Sequence, residues 1–212
     1  GKMAANLFAM DAMTWLVAGL ADQDKIDLRI EAAACKLFCS TEYYYQIAET
    51  AMELRGGRGY ETRESLLATG EPAPPVERWF RNARIFLIGE GASNTLHFSL
   101  VRDILDPFIE KANELEKAMG VAKISKAFSA GTFLARQAAK SLFGKRGDIP
   151  EFARLTRLER HLGYVNAASK RFQREFFKLL LRHRKGLKQR QLVTFRLVDI
   201  CVDLFAISAA CS

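Results

Sequence analysis

The stretch DKIDLRIEAAACKLFCSTEYYYQIAETAMEL, residues 24–54, decides the fold. Within it Ile26, Ile30, Ala33, Leu37, Tyr44, Ile47, Ala51 and Leu54 recur at helical spacing, the pattern of one long α-helix with a single buried stripe. Ala32, Ala33 and Ala34 let a neighbouring helix approach closely. Asp22 or Asp24 is placed to accept the first unpaired backbone N–H groups, and Gly56-Gly57 ends the helix. No strand-like alternation occurs anywhere along the chain. The expected fold is therefore all-α, an up-and-down helical bundle.

The reading extends outward from there. Upstream, Met3–Leu20 is apolar nearly all round and is expected to be deeply buried. Asp11 and several Ala, Gly and Thr residues argue against a membrane span, despite its length. Downstream, residues 56–75 read as a glycine- and proline-rich loop. A short helix is expected over Val76–Ala83, a connector over Ile85–Ser93, and a helix over Asn94–Met119, bent or broken at Pro107. Gly120 marks a boundary, giving a bundle over 1–119 and a helical extension over 120–212. In the extension, helices are expected from Val121 to Leu142, from Pro150 to His183 with Asp148 as cap, and from Gln189 to Ser212. The last carries Arg196, Asp199 and Asp203 on one exposed or paired face.

Composition fits a folded helical protein: 49% apolar and 26% charged residues with only 5 prolines. Cys35 and Cys39 share a helix face without nearby histidines, so they and Cys201 and Cys211 read as free thiols of a reducing compartment, and no metal site is expected. No leader sequence is expected at Gly1, and both ends are expected to continue into a longer polypeptide. The net charge of +8 is uneven, because residues 145–190 hold fourteen Lys/Arg against four acids. Three readings compete for that segment. It is a solvated face of a bundle helix, a membrane-surface helix with Phe172, Phe176, Phe177 and Leu179–Leu181 among cations, or a nucleic-acid contact. The last lacks any accompanying recognition motif and is set aside.

Two motifs carry chemistry. In Glu53-Leu54-Arg55-Gly56-Gly57-Arg58-Gly59-Tyr60, glycines at a helix end let backbone N–H groups approach a ligand, and two arginines flank them. A bare helix stop explains the same pattern. In Glu77-Arg78-Trp79-Phe80-Arg81-Asn82-Ala83-Arg84-Ile85, followed by Glu90-Gly91-Ala92-Ser93, Glu90 stands between two glycines after the apolar run Ile85–Ile88. A carboxylate at the edge of an apolar cavity has its charged form disfavoured, as a general base requires. The alternative is a carboxylate that caps the next helix or pairs with an arginine.

Taken together and in order, these segments resemble the acyl-CoA dehydrogenase family over about residues 1–110. Its members carry Gly-Gly-x-Gly-Tyr/Phe, then Glu-Arg-x-x-Arg-Asp-x-Arg-Ile, then Glu-Gly-Thr/Ser-Ser. Arg29-Ile30-Glu31-Ala32-Ala33-Ala34-Cys35-Lys36-Leu37-Phe38 is similar to the family's long C-terminal-domain helix. The insert Glu61–Pro75 resembles one bacterial subgroup that also has a C-terminal extension. The chain departs from the family's pattern at Glu53 (usually Gln), Asn82 (Asp), Gly89 (a bulky aromatic), Ala92 (Thr or Ser) and Asn94 (Glu or Gln).

The resemblance implies an enzyme of fatty-acid β-oxidation. Glu90 would take the α-proton of a fatty acyl-CoA, FAD would accept the β-hydride, and electron-transfer flavoprotein would reoxidise it. Gly91 would line the substrate. Glu53, Gly56, Gly57 and Gly59 would meet the FAD of a neighbouring subunit in a homodimer or homotetramer, and Ala92 and Ser93 would lie near the flavin. Long-chain members with extensions associate with membranes, which implies peripheral membrane contact through 145–190. The location implied is the bacterial cytoplasm, or the mitochondrion in a eukaryote. The family's other two domains hold most cofactor contacts, so the chain alone is expected to be inactive and colourless. The competing reading is a non-catalytic helical scaffold, or a membrane- or partner-binding module, on the same fold.

Overall fold

The long stretch of residues 24–54 folds as helix, but not as one uniform helix. The computed structural model describes residues 1–24, 26–120, 132–133, 135–136 and 158–212. Helix α1 spans Lys2–Ala21 and α2 spans Arg29–Glu42. A π-helical segment, Tyr43–Ala48, joins α2 to α3, Glu49–Arg55. The start differs from the expected cap. Asp22 instead ends α1, and Asp24 sits at φ 46° in the turn beyond it. Asp27 does the work at α2: its carboxylate accepts the Arg29 N–H at 3.1 Å and the Arg29 guanidinium at 2.7 Å.

The expected stripe is buried only in its middle. Ala34, Leu37, Ser40 and Ala48 are buried, whereas Ile26, Ile30 and Leu54 are exposed. The π segment explains part of this shift. It inserts an extra residue into the helical repeat, so the inward face beyond it moves from Ile47 to Ala48. Helix α1 also departs from expectation. It packs against α2 and the π segment, yet Met13 is its buried residue, and Leu7, Phe8 and Trp15 are exposed. An all-round apolar helix needs partners on every side, and the described residues supply them on one. By length and composition α1 could cross a membrane.

Residues 56–75 contain two short helices that composition concealed, α4 (Gly57–Tyr60) and α5 (Arg63–Ala68). Thr62 caps α5 by accepting the Ser65 N–H at 3.2 Å. Pro72, Pro74 and Pro75 then lead into α6, Val76–Phe86, which buries Val76 and Ala83. Aromatic rings seat α6 on the π segment. Tyr44 packs on Phe80 with centroids 5.0 Å apart, Tyr43 meets the edge of Phe86 at 5.8 Å, and the Arg84 guanidinium lies 5.5 Å over Tyr44. A loop leads to α7, Ser93–Gly120, which runs unbroken through Pro107.

The expected helix from Val121 to Leu142 and the start at Asp148-Pro150 lie outside the described residues. Beyond them come α8 (Glu159–His183), a 3-10 turn (Arg184–Gln189) around Gly186, and α9 (Gln191–Ala210). Helix α9 matches its pattern. Thr194, Val198, Val202, Ala206 and Ala209 make the buried stripe, and Arg196, Asp199 and Asp203 are exposed. On α8, Val165 and Phe176 are buried. Phe172 stacks on Phe176 at 5.9 Å, and Phe176 meets Phe108 of α7 at 5.5 Å.

The chain divides into two compact units, Gly1–His97 with Ser212, and Phe98–Cys211. The division falls inside α7, ahead of the boundary expected at Gly120. Among the described residues there is no strand, so the chain is all-α.

Candidate active site

Glu90 lies on a six-residue loop, 87–92, between α6 and α7. A helix leaves its last carbonyls without intrahelical partners, and here the last three of α6 and the one that follows all find donors. Arg84 C=O accepts from Leu87 N–H at 3.2 Å. Ile85 C=O accepts from Ile88 and Gly89 N–H at 3.0 and 2.7 Å. Phe86 C=O accepts from Lys36 Nζ at 2.8 Å. Leu87 C=O accepts from Ser93 N–H at 3.0 Å and Ser93 Oγ at 3.4 Å. The same Lys36 ammonium donates to Gly91 C=O at 2.6 Å. The loop is thus tied at its start and just past Glu90.

The ties force an unusual backbone. Glu90 has φ 53°, a left-handed conformation that costs a non-glycine residue on the order of 1 kcal/mol. Gly91 follows at φ 93°, where a β-carbon would also come within 3.1 Å of the Leu96 side chain. Only glycine fits there. The Glu90 carboxylate projects into an exposed position, beside exposed Ile85, Phe86 and Ile88. Among the described residues it caps no helix and bonds no arginine, and its own N–H has no acceptor. The apolar run Ile85–Ile88 expected to precede Glu90 is largely exposed, and among the described residues no cavity encloses the carboxylate.

The glycine motif ends α3 and forms α4, and both helices pack on α6. Glu53, Gly56 and Gly57 are exposed. Gly56 and Gly57 have nothing within 4 Å of where a β-carbon would stand. Gly59 is different. A β-carbon there would lie 2.4 Å from Met52 C=O, so its missing side chain is needed for the tight return of α4 onto α3. The flanking arginines face the insert rather than an open anion site. Arg58 pairs with Glu71 at 2.6 Å and Glu61 at 2.9 Å. Arg55 donates to Pro72 C=O at 3.0 Å, while its buried Nε has no partner.

Ala92 and Ser93 are half-buried at the start of α7, with the Ser93 hydroxyl already turned to Leu87 C=O. Lys36 is the site residue that motif reading missed. Its one sequence signal was a lysine inside the small, apolar run Ala32–Phe38.

For the basic segment, only residues from 158 onward are described. There the rings of Phe172 and Phe176 turn into the helical packing, and Arg171, Arg174, Lys178 and Arg182 are exposed. On this helix the cations stay at the surface while those two rings are covered.

An all-helical domain carrying these motifs in this order is the C-terminal domain of an acyl-CoA dehydrogenase. Residues 1–105 match the family model for that domain, and the chain belongs to the acyl-CoA dehydrogenase family through it. It is 38% identical to a probable acyl-CoA dehydrogenase FadE10 of Mycobacterium tuberculosis, over 99% of this chain and 32% of the relative. It is 29% identical to the mitochondrial very long-chain specific acyl-CoA dehydrogenase of Mus musculus, over 97% of this chain and 29% of that protein. The human very long-chain enzyme is 27% identical over 97% of this chain and 30% of its own length. The chain therefore spans about a third of the length of the curated relatives it matches. All three matches run through the extension as well as the bundle.

Proposed function

We propose that this chain serves as the C-terminal part of an FAD-dependent acyl-CoA dehydrogenase acting on fatty acyl-CoA thioesters, with Glu90 as general base. The observation that supports this most is the Glu90 loop. A carboxylate with no hydrogen-bond partner among the described residues is held at a strained φ beside an exposed apolar rim, with an unpaired N–H on the same residue. An acyl chain can lie on Ile85, Phe86 and Ile88. The Glu90 carboxylate then removes the α-proton, and its N–H polarises the thioester carbonyl as charge develops there. Gly91 gives the thioester room to approach the backbone.

The residues present fit one edge of FAD rather than its phosphates. Gly56 and Gly57 offer open backbone, while the exposed Glu53 and the occupied Arg58 disfavour a phosphate at this turn. Ala92 would lie near the flavin. Bound FAD would supply the hydride acceptor. A second subunit of a homodimer or homotetramer would bring this edge to its neighbour's cofactor, and electron-transfer flavoprotein would be the redox partner. Higher identity to the mycobacterial relative favours the bacterial cytoplasm.

The test is Glu90→Gln in the full-length protein. It keeps the shape and removes the base, so dehydrogenation of an acyl-CoA should fall about 10³-fold with FAD retained. Near-normal turnover by that variant would move proton abstraction to another residue.

A further inference from the structure

We infer that Lys36 is a positioning residue for Glu90: its ammonium clamps Phe86 C=O and Gly91 C=O and so fixes where the carboxylate stands. This inference rests on Glu90 being the base. Lys36 comes from the middle of α2, on a different element from the loop it holds, and one cation closes both ends of the segment. Leu37 beside it is buried at 3% exposure, which anchors the stem from which the lysine reaches. Phe86 C=O is the last carbonyl of α6, where the helix dipole is negative and a lysine is favoured.

The clamp opposes a real tendency of the loop. Glu90 sits in a left-handed conformation that a non-glycine residue leaves readily when its neighbours are free. Gly91 has φ 93°, so nothing intrinsic to it would hold the chain there. The Lys36 ammonium also feels the Glu90 charge, which partly offsets the effect of burial on it. Lys36 touches neither reacting atom in this arrangement. It acts through the backbone, and a shift of about 1 Å in a catalytic group is enough to cost about 100-fold.

The experiment uses the full-length enzyme with FAD and a saturated acyl-CoA. Lys36→Met removes both donors, and Lys36→Arg keeps two N–H donors on a similar stem. Lys36→Met is expected to lower kcat about 100-fold while KM stays within about threefold and FAD content is unchanged. Lys36→Arg should recover to within about tenfold of the parent, and it carries the test if the methionine variant does not fold. In Glu90→Gln, adding Lys36→Met should lower the residual rate no further, because the clamp has no base left to place. Three results would overturn the inference: parental kcat in Lys36→Met, a full further loss on the Glu90→Gln background, or, where the methionine variant does not fold, a Lys36→Arg change that falls on KM or FAD content rather than on kcat. If Glu90→Gln itself turns over normally, the base assignment fails instead, whatever the lysine variants do.

Discussion

At the scale of single residues, the two motifs separate into positions that this chain explains and positions it leaves open. Gly59 is explained internally, because its β-carbon would overlap Met52 C=O. Gly59→Ala should destabilise the chain by about 3 kcal/mol, since a backbone carbonyl cannot give way as a side chain can. Gly57→Ala meets open space. It should leave thermal unfolding within about 0.5 kcal/mol of the parent, yet reduce FAD retention in the full-length protein. Equal loss of stability in both variants would argue that the turn is structural throughout. Glu90 and the glycines stand out in the sequence because their types and order are distinctive. Sequence reading did not find Lys36, because a lysine that bonds carbonyls distant in sequence leaves no local pattern. Nor did it show that Arg55 and Arg58 turn to the insert, since Glu61 and Glu71 carry no mark of pairing in the sequence.

At the scale of elements, periodicity performed best where one face alone is buried. Helix α9 is the clear case: the charged face read from its sequence is exposed. Its charged face also supports a test. Burial and the like charge of Asp199 raise the Asp203 carboxyl above its ordinary range. The folded state then holds that proton more tightly than the unfolded chain, so this group adds stability as pH falls through the raised value, and the contribution is complete below the ordinary range. Asp203→Asn should therefore raise the unfolding midpoint at neutral pH by the equivalent of a few tenths of a kcal/mol, about 0.3, the position being exposed. The gain should shrink in acid. A constant gain across pH would assign it to the amide's packing. Periodicity failed in α2 to α3, where the π segment shifts the repeat, and in residues 56–75, where Gly and Pro hid two helices shorter than the pattern's own length.

At the scale of the molecule, the all-α class was legible because no segment alternates with a strand period. What could not be read was burial that depends on absent surroundings. Helix α1 is apolar enough for a core, yet Trp15 is 73% exposed in this chain. The rim at Ile85, Phe86 and Ile88 is open in the same way. A chain spanning about a third of its relatives' length would leave such faces to the remainder. Purified alone, it should be colourless and should bind an apolar fluorescent dye more strongly than the full-length protein does. Stoichiometric FAD on the isolated chain would show that the open glycine edge suffices by itself.

The π segment at Tyr43–Ala48 sets a gearing between two ends of one rod. Lys36 projects from before it and the glycine turn follows after it, so the winding of this segment sets the bearing of one relative to the other. Each residue advances an α-helix by about 100°. The wider turn of a π segment spreads the added residue over the rotation that an α-helix completes with one fewer. Deleting one residue there would even the winding and leave the glycine turn near its present bearing, whereas adding one to the α-helix on either side would swing that turn by about a quarter-circle, with every side chain at both ends unchanged.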